Sequence, residues 1–186
     1  MTIFRNLLAS ALTLVCATGA AAQGYSPGEN LIVDIPPGFG LVTQTESADS
    51  AIEEYIPQNQ TLQTWSDLIT LQVFPGLGGT GPDAFLDRMA GAVAGECPGA
   101  EIGSVQPVGV GAYPSALFVV ICPDSPRTEG IESFAAYAIG GLDRLYVVQY
   151  AWDRRPSPDD IAAAQMLFAG VLLCDTRRAD ASCPAP

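Results

Sequence analysis

The chain has 186 residues, a length that suits one domain. Apolar residues make up 48 % and charged residues 15 %, a balance that argues against intrinsic disorder. Its 20 acids face 8 basic residues, all Arg, which speaks against a nucleic-acid partner, and the absence of His removes imidazole catalysis and His-bound zinc.

Residues 1–22 read as a secretory signal peptide. One cation, Arg5, precedes an apolar run from Leu7 to Val15, and Ala20-Ala21-Ala22 fits the small-residue cleavage rule. The run is shorter than the ~20 residues of a membrane span. Cys16 follows Val15, where lipoprotein processing wants Gly, Ala or Ser, so it is expected to leave with the signal. The expected product has no membrane span and is periplasmic or secreted. Residues 23–29 are turn-rich and read as a flexible N-terminus.

Strand-like pieces follow at 31–35, 39–45 and 52–56, broken by Pro36-Pro37-Gly38 and by an acidic stretch. Residues 64–74 carry β-branched and aromatic residues with Thr70 and Gln72 on one face, the pattern of a half-exposed antiparallel strand. Trp65, beside it, is expected to pack inward. A first helix is expected with Thr80 as its cap, Pro82 in its first turn and Gly95 as its stop. Phe85, Leu86, Met89, Ala90 and Val93 form its apolar face.

Further strands are predicted at 101–108, 116–122, 131–139 and 145–152. The second is the most apolar, and the last two are joined through Gly140-Gly141-Leu142-Asp143. A second helix opens with Ser157 as cap, Pro158, and two acids that suit the helix dipole. Its stripe of Ile161, Ala164, Leu167, Phe168, Val171 and Leu172 carries it to near Cys174. The predicted fold is α+β: an antiparallel sheet of about six to eight strands with two main helices packed on it. Residues 30–174 form the single globular domain, and 175–186 a disulfide-closed tail.

Four cysteines remain after the signal: Cys97, Cys122, Cys174 and Cys183. An even count after export reads as a disulfide framework with three connectivities. Local pairing, Cys97 with Cys122 and Cys174 with Cys183, is favoured, because ten residues of chain easily reach the Cα separation of a bridge. The crossed pairings require both middle cysteines to lie at the end of the last helix.

The segment Tyr55-Ile-Pro-Gln-Asn-Gln60-Thr-Leu-Gln-Thr-Trp65, followed by a strand, resembles a stretch in small exported bacterial proteins of unknown function. The element order and the final helix resemble the PsbP-like fold, which includes periplasmic DcrB-type proteins. That resemblance implies a non-enzymatic accessory or assembly role and covers about residues 30–174.

Other patterns have plainer readings beside the sharp ones. Gly76-Leu-Gly78-Gly-Thr-Gly81 matches a dinucleotide fingerprint, with Glu101 20 residues beyond Gly81. Pro82 starts the helix directly after the third Gly, so a loop feeding a helix is the expectation. Glu46, Asp49, Glu53 and Glu54 read as a solvated acidic face rather than a Ca²⁺ loop, since no EF-hand spacing is present. Asp159-Asp160 reads as helix capping. No cofactor or metal site is expected. Tyr146, Tyr150 and Trp152 share one strand face by parity; they read as core, or as an aromatic groove for a ligand. The expected function is a non-enzymatic periplasmic or secreted binding domain for an envelope protein or small ligand. The alternative is a His-free hydrolase that uses a pair of carboxylates.

Overall fold

Alternating β-branched and aromatic residues dominate the middle of the chain, and strands form there. The structure is a computed structural model that describes residues 25–185 apart from 109, 110, 127 and 129. The predicted signal peptide and Cys16 lie outside the described residues. In chain order the elements are β1 (Glu29–Ile32), β2 (Phe39–Glu46), β3 (Ala51–Pro57), β4 (Asp67–Pro75), α1 (Pro82–Glu96), β5 (Glu101–Ile102) and β6 (Gln106–Val108). Then come β7 (Ser115–Ser125), β8 (Gly130–Gly140), β9 (Arg144–Trp152), α2 (Pro158–Ala169) and β10 (Leu172–Asp175).

Eight strands form one sheet in the order β2-β3-β4-β9-β8-β7-β5, with β6 also pairing β7. β1 and β10 form a separate two-stranded ribbon. Every paired strand is antiparallel. The fold is therefore α+β and mostly antiparallel sheet. Short connections favour that outcome, because a parallel pair needs a long crossover.

Register decides which side chains share a face. Tyr137 lies opposite Val148 and Ile139 opposite Tyr146, whereas Ala136 and Ala138 lie opposite Gln149 and Val147. Residues directly opposite in an antiparallel pair point the same way. On one face Phe118, Val120, Ala136, Leu145 and Val147 cluster with Leu86 of α1. On the other, Ile69, Val148, Tyr150 and Trp152 cluster with Ala164 and Leu167 of α2. The central strands are thus covered on both faces, which explains why β9 is apolar almost throughout.

The helix ends differ from expectation in three places: at Thr80, at Gly95, which lies inside α1 while the helix runs on to Glu96, and at the end of α2. Thr80 does not cap α1; Gly81 occupies the cap with no side-chain bond. The Thr80 N–H donates to the Leu77 carbonyl at 3.1 Å, which keeps Thr80 in the preceding turn. α2 starts as expected. Ser157 Oγ accepts from the Asp160 N–H, and the Asp160 carboxylate accepts from the Ser157 N–H at 2.8 Å, a reciprocal capping box. α2 stops at Ala169, however, instead of running to near Cys174. The Gly170 N–H closes the helix on the Leu167 carbonyl at 3.1 Å, and the chain turns into β10. There Leu173 pairs with Leu31, Cys174 with Asn30 and Asp175 with Glu29.

Two further expectations change. Residues 101–108 form two short strands rather than one. Trp65 is only half-buried, precedes β4 and belongs to none of the core clusters; Trp152 is the tryptophan fully enclosed by the core. Cys97, at the end of α1, is bonded to Cys122 in β7, with Cα atoms 5.9 Å apart. Cys174 in β10 is bonded to Cys183, with Cα atoms 4.8 Å apart. No helix among the described residues is long and apolar enough to cross a membrane.

Candidate functional site

Tyr146, Tyr150 and Trp152 project from one face of β9, as parity predicts, but they do not form an open groove. Their exposures are 2 %, 7 % and 0 %. The physical reason is that α2 and the β1–β10 ribbon cover this face. Tyr150 stacks on Trp152 with ring centroids 5.2 Å apart. Burial, followed by the Asp67 and Asp160 carboxylates, pushes the Tyr150 hydroxyl up to about 12. The Tyr146 hydroxyl donates to Glu29 Oε2 at 3.1 Å, and burial together with that carboxylate raises it well above the ordinary phenol range.

Glu29 was not among the expected functional or core residues. Its carboxylate is almost wholly buried and accepts the N–H groups of Leu142 and Asp143 in the β8–β9 turn. The bond to Leu142 is very short. Next to it, Arg177 hydrogen-bonds the Asp175 carboxylate and holds that group down to about 2. Arg177 also pairs with Asp143 at 2.6 Å. This network ties the ribbon to the sheet.

The glycine run has a mechanical role at the same turn. A Cβ on Gly78 would lie 2.0 Å from the Leu142 carbonyl oxygen, and the Gly79 N–H donates to the Gly141 carbonyl at 3.0 Å. The loop presses against the β8–β9 turn, and only a residue without a side chain fits there. Glu101 forms an ion pair with Arg155 at 2.6 Å. Asp160 serves the capping box and pairs with Arg154 at 2.5 Å. In the acidic stretch, Glu53 accepts from Gln44 and from the Tyr55 hydroxyl. Among the described residues no group of three or more His, Cys, Asp or Glu is placed to hold a metal ion.

Among the described residues two concave sites stand out, one on each face. On the α1 face, beyond the edge of the helix, a cleft of about 260 Å³ is lined by Glu54, Thr70, Gln72, Glu96, Glu132 and Gln149, with the Cys97–Cys122 bond at one end. Glu54, Thr70 and Gln149 are successive partners across β3, β4 and β9, and Gln149 faces Ala136 of β8. Glu132 lies four residues along β8 from Ala136. That offset is ~14 Å across three strand spacings and ~13 Å along the strand, so the two Cα atoms are roughly 19 Å apart. Glu54 and Glu132 thus stand far apart along the cleft. The Glu132 carboxylate already accepts the Ser125 hydroxyl at 2.5 Å.

On the α2 face lies a larger cavity of about 480 Å³. That volume falls within the ~300–1,000 Å³ typical of small-molecule sites. β7 and β8 supply Leu117, Tyr137 and Ile139 as its floor; Phe168 of α2, Val171 and Leu173 form one side. Val108 and Tyr113 close another, and Asp180, Ala181 and Ser182 of the tail form the last wall. The Tyr137 and Phe168 rings lie 5.7 Å apart. The Arg178 guanidinium sits over the Tyr113 ring, 5.0 Å from its centroid. Burial, then the Asp175 and Glu29 carboxylates, raise the Tyr113 hydroxyl, and Arg178 works against that shift. Arg178 lies over the ring face, and the Tyr113 hydroxyl has no hydrogen-bond partner among the described residues. Asp180 is the one charged residue lining the cavity among those described, and it pairs with Arg178.

No known protein family matches this chain, and no curated protein matches it. Among solved structures it is similar in fold to a crystal structure of a protein from Bacteroides thetaiotaomicron VPI-5482, with 9 % sequence identity and a TM-score of 0.50. The match covers 82 % of this chain and 50 % of the other, so this chain spans half the length of that protein. At that identity the likeness concerns the fold alone.

Proposed function

We propose that the protein is an exported, non-enzymatic binding domain that seats a small, neutral, apolar molecule in the α2-face cavity. The carrying observation is the cavity wall: aromatic and aliphatic side chains from five separate segments, with side-chain polar groups limited to the Tyr113 and Tyr137 hydroxyls, Gln165, Asp180 and Ser182. Apolar surface left in contact with water is costly, at ~25 cal/mol per Å². A concave apolar site therefore gains most from an apolar occupant. No cation lines the wall among the described residues, and the chain carries a net charge of −12. An anionic ligand would meet like charge without a counter-ion, and Asp180, the charged group on the wall, is already neutralised by Arg178, so the occupant is neutral.

The exported part of this reading rests on the signal-like residues 1–22 and on the two disulfides, which persist in oxidising compartments. The accessory role rests on the resemblance to PsbP-like, DcrB-type proteins. The carboxylate-pair hydrolase draws no support from Glu132, whose carboxylate is taken by the Ser125 hydroxyl. The test uses N-phenyl-1-naphthylamine, a neutral probe that fluoresces in apolar sites. Ala169→Trp places a ring at the cavity rim, on an exposed position of α2. It should abolish the fluorescence gain without changing the melting temperature. Gln72→Trp, in the opposite cleft, should leave the gain intact. No gain with the wild-type protein, or an equal gain with Ala169→Trp, would overturn the proposal.

A further inference from the structure

The tail belongs to the cavity as much as the sheet does. Asp180, Ala181 and Ser182 line it, although they lie beyond the last strand. Besides the Arg178–Asp180 ion pair and the packing of Ala181 against the core, three contacts hold them in place. The Asp175 N–H donates to the Ala181 carbonyl at 2.8 Å, Arg178 lies over Tyr113, and Cys183 is bonded to Cys174. The non-covalent contacts are individually weak. The disulfide is the one covalent tie between the tail wall and β10.

The two disulfides also differ in access. Cys97 and Cys122 are both buried, at 3 % and 6 % exposure. Cys174 is fully buried, but Cys183 is only half-buried. Thiol–disulfide exchange needs a thiolate to reach one sulfur along the S–S axis. Cys183 is the most exposed of the four cysteines, so its Sγ is the expected point of attack, and a bridge whose partner sits in a short terminal loop opens without disturbing the sheet. The Cys97–Cys122 bond reaches the α1-face cleft, but both of its residues are more buried than Cys183.

We propose that the Cys174–Cys183 disulfide is a redox gate on the α2-face cavity, opened by a dithiol reductant to release the bound apolar molecule. The proposal rests on the cavity reading above. In the exchange, one thiolate of the reductant attacks Cys183 Sγ, the S–S bond breaks, and Cys174 leaves as a thiolate that takes up a proton. The second thiol of the reductant, deprotonated, attacks its own sulfur in the mixed disulfide. Cys183 is expelled and protonated, and the reductant is left as a disulfide. Two electrons pass from the reductant to the cysteine pair. The freed tail then samples many conformations, the wall formed by residues 180–182 is lost, and the apolar floor is opened to water.

The experiment titrates the folded protein, loaded with N-phenyl-1-naphthylamine, with dithiothreitol. Probe fluorescence is followed alongside alkylation mapping of free thiols, and brief trypsin digestion reports cleavage after Arg177 and Arg178. Cys174 and Cys183 should alkylate first, tail cleavage should accelerate, and probe affinity should fall by about tenfold or more while Cys97–Cys122 stays closed. The double variant Cys174→Ser/Cys183→Ser should bind like the reduced protein and ignore the dithiol. Prior opening of Cys97–Cys122 overturns the gate. Equal probe affinity in both redox states, with tail cleavage accelerated, overturns the gate and leaves the cavity reading standing. Failure of the oxidised wild-type protein to bind the probe overturns both. If the double variant does not fold, the dithiol titration of the wild-type protein decides alone.

Discussion

Removing the Glu29 carboxylate should weaken the fold more than its place at the start of the first strand suggests. Its side chain accepts from the Leu142 N–H, from the Asp143 N–H at 3.3 Å and from the Tyr146 hydroxyl at 3.1 Å. A hydrogen bond to a charged group contributes ~1.5–3 kcal/mol net. The Asp143 bond is long and its residue exposed, so it is discounted. The Leu142 N–H lies in an exposed turn and recovers part of its loss from water. Glu29→Ala is therefore expected to cost about 2–4 kcal/mol, most of it from the orphaned Tyr146 hydroxyl and the turn. For a domain of this size each kcal/mol lowers the melting temperature by ~2–4 °C, so a loss of about 3 kcal/mol corresponds to roughly 6–12 °C. Glu29→Gln keeps one acceptor oxygen and should retain about half of that. Urea unfolding followed by tryptophan fluorescence, with thermal melts by circular dichroism, measures both variants. A melting temperature for Glu29→Ala within about 1 °C of wild type would refute the reasoning.

Gly78→Ala would place a Cβ 2.0 Å from the Leu142 carbonyl oxygen, so backbone must shift; a loss of ~1–3 kcal/mol or more is expected by thermal melt. Gly91→Ala, on an open face of α1, should instead gain ~0.5–1 kcal/mol, and the reverse order of the two melts would contradict the packing described. The Asp175 carboxyl is depressed from 3.8 to about 2, so its contribution is complete above the unfolded value and fades as pH falls toward 2. Urea midpoints between pH 5 and pH 2 should therefore drop less in Asp175→Asn than in wild type. Replacing Cys97 and Cys122 by Ser should cost ~3.5 kcal/mol on chain-entropy grounds and leave probe binding on the opposite face unchanged, read by denaturation and fluorescence titration.

Much of the sheet was legible because its signals are local. The run from Ala116 to Cys122 needs no partner to read as a central strand, and Ser157 with Asp160 announces a helix start within four residues. The strand parity of Tyr146, Tyr150 and Trp152 was also legible, but not its meaning. A strand covered on both faces reads the same whether an aromatic face is core or groove. β10 was hidden because Val171 and Leu172 extend the α2 stripe; Gly170 was the signal that the helix stops before them. Glu29 had no local signal, since its partners in the β8–β9 turn lie more than a hundred residues away. The cavity was illegible for the same reason. Its walls come from β7, β8, α2, the stretch before β7 and the tail, and no pattern within any one of them marks it.

The β1–β10 ribbon joins the beginning of the described chain to its end. Gly28 and Thr176, 148 residues apart, exchange hydrogen bonds across it. The β7–β8–β9 meander needs only near neighbours, so it can form early at little loop-closure cost. β1 cannot pair until the last strand has been synthesised. During that interval it presents unpaired N–H and C=O groups, and the Glu29 carboxylate remains in water. The topology therefore predicts that the ribbon closes after the meander. A chain that stops short of Leu172 keeps its central sheet but leaves β1 as an open edge, a template for aggregation.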